Sequence, residues 1–144
     1  MKYYLAGPMS WVPQFNVPLF DRATKELRAN GFDVFSPAEL DSDEVRAAAL
    51  KSKDGDPADV TSIKTWGDML ARDVKLIADE VGCIVFLDGW EDSRGSRLEA
   101  FVGLLCGRHF GRYLRGGGIE YMNAKLVLTK IARHTNRDLN KHEG

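Results

Sequence analysis

A run of five apolar residues, 83–87, sets the strongest limit on the fold of this chain. It contains the β-branched residues Ile84 and Val85 and lies between Gly82 and Asp88, a pattern that predicts a strand. A strand that is apolar on both faces has to be covered on both faces, which is typical of a parallel sheet between two layers of helices. The run therefore predicts an α/β fold.

Strand and helix patterns alternate along the chain around this run. Residues 3–6 and 32–35 predict two further strands, and Asn16 and Thr65 are predicted N-caps of helices. A third helix is predicted after Ser93, where the apolar spacing changes from a strand period to a helix period. The predicted apolar faces consist of Phe20, Ala23, Thr24 and Leu27 in the first helix, Trp66, Met69, Leu70, Ile77 and Val81 in the second, and Leu98, Phe101, Val102 and Leu105 in the third.

The domain organisation follows from breaks in these patterns. We expect an α/β domain over residues 1–115, within which the polar stretch 41–64 is a surface excursion with at most a short helix near its start. The glycine triplet 116–118 predicts a hinge or linker. Apolar residues at helical spacing then predict an amphipathic C-terminal helix over 119–133, which packs on the domain or on another subunit. Residues 134–144 are predicted to form a polar tail that frays.

Composition excludes several classes of function. The chain has 20 basic and 21 acidic residues, so its charge offers no basis for binding polymeric nucleic acid or a membrane surface. No apolar run reaches membrane-spanning length and the N-terminus does not resemble a signal peptide, so a cytoplasmic location is expected. The two cysteines form no CxxC pair and no histidine lies at ligand spacing, so we expect neither a metal nor a cofactor.

Two carboxylates stand out as candidate site residues. Glu99 follows the loop after the central strand, and open α/β sheets bind their ligands at the carboxyl ends of strands. The alternative is that Glu99 is a solvated residue of a helix face. Asp73 lies on the predicted apolar face between Leu70 and Ile77, where a carboxylate has to be paired or to border a cavity. A structural and a functional Asp73 both fit this pattern.

Three segments, in this order along the chain, resemble motifs of the nucleoside 2-deoxyribosyltransferase superfamily. They read YLAGPM at 4–9, RD at 72–73 followed by IAD at 77–79, and SRGSRLE at 93–99. The chain is most similar to a phage-rich branch of that superfamily and to the 2′-deoxynucleoside 5′-phosphate N-hydrolases, over about the first 107 residues. The resemblance implies a flavodoxin-like (Rossmann-like) sheet, a homodimer or larger oligomer, and the cytosol of a bacterium or a phage-infected host.

The resemblance also implies roles for individual residues. Glu99 would be the nucleophile, Asp73 would serve the leaving base, and Tyr4 would orient Glu99, although an aromatic residue at Tyr4 also suits a core. Gly7, Pro8 and Met9 would line the substrate. The chemistry agrees, because cleavage of an N-glycosidic bond passes through an oxocarbenium-like state that one carboxylate stabilises while a second acid assists the departing base.

Ser93 decides the predicted substrate. By the same resemblance, a serine at this position binds the phosphate of a nucleoside monophosphate, whereas nucleoside transferases carry an aspartate. Arg94, Gly95 and Arg97 next to it at a helix N-terminus suit phosphate binding. Pro8 stands where the hydrolases carry a second phosphate-binding serine. The alternative for Arg94 and Arg97 is pairing with the neighbouring acids Glu91 and Asp92.

These patterns predict a nucleotide N-hydrolase or N-deoxyribosyltransferase that acts on a (deoxy)nucleoside 5′-monophosphate through Glu99. One alternative is a catalytically silent nucleotide-binding or sensor module that keeps the pocket. Another is an oligomer-forming protein whose C-terminal helix docks a partner. The expected partners are a small-molecule nucleotide or nucleoside and a second copy of the chain.

Overall fold

The computed structural model describes residues 1–143, and a five-stranded sheet lies at the centre of the molecule. The strands are β1 (Lys2–Ala6), β2 (Asp33–Phe35), β3 (Cys83–Phe86), β4 (His109–Leu114) and β5 (Gly118–Met122). Their order is β2-β1-β3-β4-β5, which is the flavodoxin-like order, and the first four are parallel. β5 pairs antiparallel with β4, because the turn between them is too short for a parallel crossover. The predicted α/β fold is confirmed.

Helices cover both faces of this sheet. They are α1 (Val17–Ala29), α2 (Pro37–Leu40), α3 (Asp43–Lys51), α4 (Ala58–Thr61), α5 (Trp66–Asp79), α6 (Arg94–Leu105) and α7 (Ala124–Glu143). Leu5 and Val85 point into one core, which α1 closes, and Tyr4 and Ile84 point into the other, which α5, α6 and α7 close. All four residues of β3 are buried, as the apolar run predicts. No helix among the described residues has the length and apolar character to cross a membrane.

Helix α6 is turned the opposite way from its predicted orientation. Leu98, Phe101 and Leu105 were expected in the core, but they are 40, 43 and 74% exposed. The inward side carries Glu99 and small residues, because a Cβ on Gly103 would lie 2.6 Å from Cδ1 of Ile84 and leaves no room for a larger side chain. The close approach of α6 to the sheet therefore turns Glu99 inward.

The polar stretch 41–64 contains the short helix that was predicted near its start, but it is more ordered and more buried than the predicted surface excursion. It contains α3 and α4, and Val45, Ala49 and Val60 from these helices are buried. Backbone hydrogen bonds tie it to the loop after β1, including Trp11 N to Gly55 O at 2.7 Å. The prediction failed because few apolar side chains, widely spaced, are enough to bury two short helices.

The chain after β4 also differs from the prediction. Residues 118–122 form β5 rather than the start of a helix, so the glycine triplet belongs to a hairpin turn, not a hinge, and the sheet extends beyond residue 115. The C-terminal helix starts at Ala124 and continues through the predicted polar tail to Glu143, while Gly144 lies outside the described residues. Val127 and Ile131 pack into the chain's own core, which is one of the two arrangements expected for this helix.

One of the two predicted N-caps, Thr65, holds, and Ser93 caps the helix that was predicted to follow it. Thr65 and Ser93 each accept a hydrogen bond from the backbone N–H three residues on, at 3.1 and 3.2 Å. Asn16 precedes α1 as predicted, but its side chain makes no cap. Its Nδ2 instead donates to the carbonyl oxygen of Pro8 at 3.0 Å, in a loop where Asn16 itself has a φ of +61°.

Candidate active site

The candidate site lies where β1 and β3 end side by side. Gly7 follows β1, and a Cβ there would stand 2.9 Å from the Cβ of Leu87, so a glycine lets the two strand ends meet. The loop that starts with Gly7, Pro8 and Met9 and the loop before α6 therefore leave the sheet at the same edge. The N-terminus of α6 lies at this edge too, which is where open α/β sheets place ligands.

Three of the predicted residues come together below this edge. Tyr4 comes from β1, Asp73 from α5 and Glu99 from α6, and all three are buried. The Tyr4 hydroxyl donates a short hydrogen bond to Oε2 of Glu99. Glu99 is therefore no solvated helix residue, and Tyr4 is more than an apolar part of the core.

The environment controls which of these groups carry protons. Burial raises the pKa of Glu99 well above its usual value, the negative charge of Asp73 raises it further, and the Tyr4 hydrogen bond and Arg72 act in the opposite direction. Burial also raises the pKa of Asp73, against the lowering effect of Arg72. The pKa of Tyr4 is raised well above 10.0 by burial and by the two carboxylates, so its hydroxyl remains a donor. The two carboxyl groups therefore favour holding one proton between them.

Arg72 and Asp41 complete this buried cluster. Nε of Arg72 donates to Oδ1 of Asp73 at 2.9 Å, and Nη1 donates to Oδ1 of Asp41 at 2.7 Å. Sequence reasoning missed Asp41, which it treated as one of the solvated acids of the polar stretch. The available signal was its place just after β2 and α2, because the carboxyl end of β2 lies at the same edge as those of β1 and β3.

Ser93, Arg94 and Gly95 lie at the start of α6, at the edge of the sheet where β1 and β3 end, and we call this position the entrance of the candidate site. Ser93 Oγ accepts from the N–H of Ser96, which leaves its own hydroxyl hydrogen able to donate. Arg94 is exposed, its guanidinium carbon is 6.0 Å from the ring centre of Trp66, and it forms no ion pair with the side chains described in residues 1–141. One cation and one hydroxyl therefore stand at the N-terminus of a twelve-residue helix.

Arg97 is engaged elsewhere. Its buried guanidinium binds Asp138 at 2.5 Å and Thr135 at 3.0 Å, both on α7.

The predicted alternative, in which the arginines pair with the neighbouring acids, is also wrong, because those acids bind α7 as well. Glu91 pairs with Lys130, and Asp92 pairs with Arg137 and His134. Arg97 therefore joins α6 to α7 instead of facing the entrance.

A family model described as a domain of unknown function (DUF4406) matches residues 1–110. No curated protein matches the chain. The matched region contains the whole cluster of Tyr4, Asp41, Arg72, Asp73 and Glu99 and stops within β4, so β5 and α7 lie outside it.

Proposed function

This chain belongs to the DUF4406 family, and we propose that it cleaves the N-glycosidic bond of a (deoxy)nucleoside 5′-monophosphate, by hydrolysis or by transfer to a second base. The observation that carries the proposal is the buried pair Asp73 and Glu99, with Tyr4 bound to Glu99, at the carboxyl edge of a parallel sheet. The sequence motifs at 4–9, 72–79 and 93–99 support it, because they supply these three residues and the loops above them.

The reaction that we propose uses the single proton of the carboxyl pair. That proton passes from Glu99 to Asp73, which delivers it to the departing base, while the ionised Glu99 attacks the anomeric carbon and forms a glycosyl ester. Asp73, now a carboxylate, then takes a proton from water, and the resulting hydroxide attacks the ester and releases the sugar phosphate. Tyr4 donates to Glu99 throughout and stabilises its ionised form.

The preference for a phosphate rests on the entrance to the site. The hydroxyl of Ser93, the guanidinium of Arg94 and the free N–H groups of the first turn of α6 suit a dianionic group. Because Arg97 is bound to Asp138, we leave it out of the proposed phosphate site. Pro8 offers no hydroxyl or N–H of its own, so the phosphate depends on the α6 side.

Incubation with each deoxynucleoside and ribonucleoside monophosphate, with and without an added free base, tests the proposal. Chromatography should detect free base, and a new nucleotide where transfer occurs, and the matching unphosphorylated nucleosides should react more slowly. Binding of a monophosphate without release of base would support the alternative, a catalytically silent nucleotide-binding module, and would contradict the enzymatic proposal.

The covalent step has a separate test. Wild-type protein quenched during turnover, or after a 2-fluoro-substituted substrate, should carry the mass of one sugar phosphate at Glu99. Glu99→Gln should lose turnover by at least about 10³-fold and should still bind the monophosphate. A Glu99→Gln variant with near-normal turnover would remove Glu99 from the mechanism.

A further inference from the structure

The buried cluster holds more negative than positive charge. Three carboxyl groups, those of Asp41, Asp73 and Glu99, lie around one cation, Arg72, and the Tyr4 hydroxyl is the other titratable group that faces them within residues 1–143. The side chain of Asp41 is only 8% exposed and that of Arg72 21%, so water screens these charges weakly. Among the described residues, Arg72 therefore supplies the positive charge that partly offsets these carboxylates.

The guanidinium of Arg72 is held by two hydrogen bonds in fixed directions. Its Nε and Nη1 donate to two different carboxylates, one from α5 and one from the segment after α2, at 2.9 and 2.7 Å. A planar guanidinium that is held at two edges cannot rotate about its long axis. It therefore fixes the position of Oδ1 of Asp73 and leaves Oδ2 without an arginine partner.

We propose that Arg72 is the positioning residue of the carboxyl pair, and that Asp41 is the residue that holds Arg72 in place. This inference rests on the proposed function, since it assigns Arg72 the task of orienting Asp73 towards the leaving base. It also links the segment after α2, which sequence reasoning treated as surface, to the site.

Arg72 and Asp41 act on the proton of the pair in opposite directions. The positive charge of Arg72 lowers the pKa of Asp73 and of Glu99, whereas the negative charge of Asp41 raises the pKa of Asp73. Arg72 thereby makes Asp73 a stronger acid, which passes its proton to the base more readily. The two residues can therefore be distinguished by the sign of their effect on the pH dependence.

Two variants and one matched control test this inference. Arg72→Gln should move the pH profile of kcat/KM to higher pH by at least about one unit. Asp41→Asn, which still accepts a hydrogen bond from Arg72, should move it by a smaller amount to lower pH. Lys75→Gln removes a cation from the exposed side of the same helix, where Lys75 pairs only with Asp79, and should leave the profile unchanged.

A measurement without substrate separates this inference from the proposed function. In an NMR titration of the unliganded protein, the ¹³C carboxyl signal of Asp73 should titrate at higher pH in Arg72→Gln and at lower pH in Asp41→Asn, and that of Glu99 should titrate at higher pH in Arg72→Gln. If the nucleotide panel releases no base, the proposed function falls, and the titration still decides the inference. Shifts of the same sign in both variants, or none beyond those of Lys75→Gln, would overturn it.

Arg72→Lys covers the case in which Arg72→Gln does not fold. A lysine keeps the positive charge but cannot hold two carboxylates in fixed geometry, so kcat should fall at least about tenfold with the pH profile nearly in place. An unchanged kcat would overturn the positioning role.

Discussion

Glu99 makes the stability of the protein depend on pH. Its pKa in the folded protein lies well above the unfolded value of 4.5, because the residue is buried beside Asp73. Between these two pKa values the unfolded chain binds fewer protons than the folded protein, so the free energy of unfolding falls as the pH rises through this window. Below pH 4.5, Glu99 is protonated in both the folded and the unfolded protein, so it no longer makes the free energy of unfolding depend on pH.

Glu99→Gln should remove this pH dependence. The amide has the shape of the protonated acid, can accept from Tyr4, and cannot ionise. We expect the thermal midpoint of the wild type to fall more steeply between pH 5 and pH 8 than that of the variant, which should be the more stable protein at the alkaline end. Differential scanning calorimetry at several pH values measures both curves, and parallel curves would contradict the raised pKa of Glu99.

Asp73→Asn should separate a role in proton delivery from a structural role. The asparagine keeps the shape of Asp73 but cannot protonate the base, so turnover of ordinary monophosphates should fall by about 10²–10⁴-fold. A 7-methylguanine deoxynucleotide already carries positive charge on its base and leaves without protonation. In the first turnover, before water attacks the glycosyl ester, we expect the variant to release this base at close to the wild-type rate. Equal losses on both substrates would indicate that Asp73 is structural.

At the residue scale, the motifs were sufficient to name Tyr4, Asp73 and Glu99, which the structure brings together. They could not predict the protonation of the pair, because that depends on burial and on Arg72, whose contact with Asp41 joins positions 31 residues apart. Arg97 was misplaced for a related reason. Its partner Asp138 lies 41 residues on, in a stretch that was predicted to be a frayed tail.

At the scale of elements, α7 is joined to the site by ion pairs. Asp138, Lys130 and Arg137 on α7 bind Arg97, Glu91 and Asp92, which belong to α6 and to the 3-10 turn before it. The pairs differ in burial, since the side chain of Arg97 is 6% exposed and that of Asp92 is 62% exposed. A buried guanidinium depends on its partner far more than an exposed carboxylate does.

Removal of Asp138 should therefore cost more stability than removal of Asp92. Asp138→Ala leaves the buried Arg97 with two neutral partners, Thr135 and the carbonyl oxygen of Ser93, and we expect a loss of about 1.5–3 kcal/mol in the free energy of unfolding. Asp92→Ala breaks an exposed pair and should have little effect. Urea denaturation of both variants measures the difference, and equal midpoints would show that the interior pair contributes no more than the surface pair.

Helices and strands were predictable where one strong local sequence pattern was enough to identify them. β3 is apolar throughout, and Thr65 and Ser93 are local caps, so these features depend little on the rest of the chain. The orientation of α6 was not predictable in this way. Its apolar residues suggest one buried face, whereas the room left by Ile84 and Phe110 under Gly103 decides which face turns inward. β5 was missed because it is a short edge strand in a sequence that also suits a helix.

For the molecule as a whole, the outward side of α6 is an apolar surface that no other part of the described chain covers. Trp66 at the start of α5 and Leu98, Phe101 and Leu105 on α6 expose on the order of 400 Å² of apolar surface. Between Leu98 and Cys106 the only charged residue is Glu99, which points inward. An apolar surface of this size is comparable to the largest apolar patch of a typical monomer, and such patches often serve as binding sites.

A second copy of the chain is the occupant that we expect on this patch. An apolar stripe along one helix is complementary to itself about a two-fold axis, and a net charge of −1 at pH 7 opposes association very little. The patch supplies roughly half of the 800 Å² that each partner buries in a standard interface, and its rim can supply the rest. We place the predicted homodimer at α6 and not at the C-terminal helix, because Val127 and Ile131 of that helix are buried. Its exposed apolar residues, Leu126, Leu128 and Leu139, lie among charged residues.

Phe101→Glu should convert this dimer into a monomer. The charge would be buried at the centre of the interface in the dimer and solvated in the monomer, so the dissociation constant should rise at least about 100-fold. Leu126→Glu is the matched control, because Leu126 is similarly exposed, at 47%, but lies on α7. Light scattering coupled to gel filtration at micromolar concentration should return a dimer for the wild type and for Leu126→Glu. A wild type that is strictly monomeric, or a Phe101→Glu variant that remains dimeric, would rule out this face as the interface.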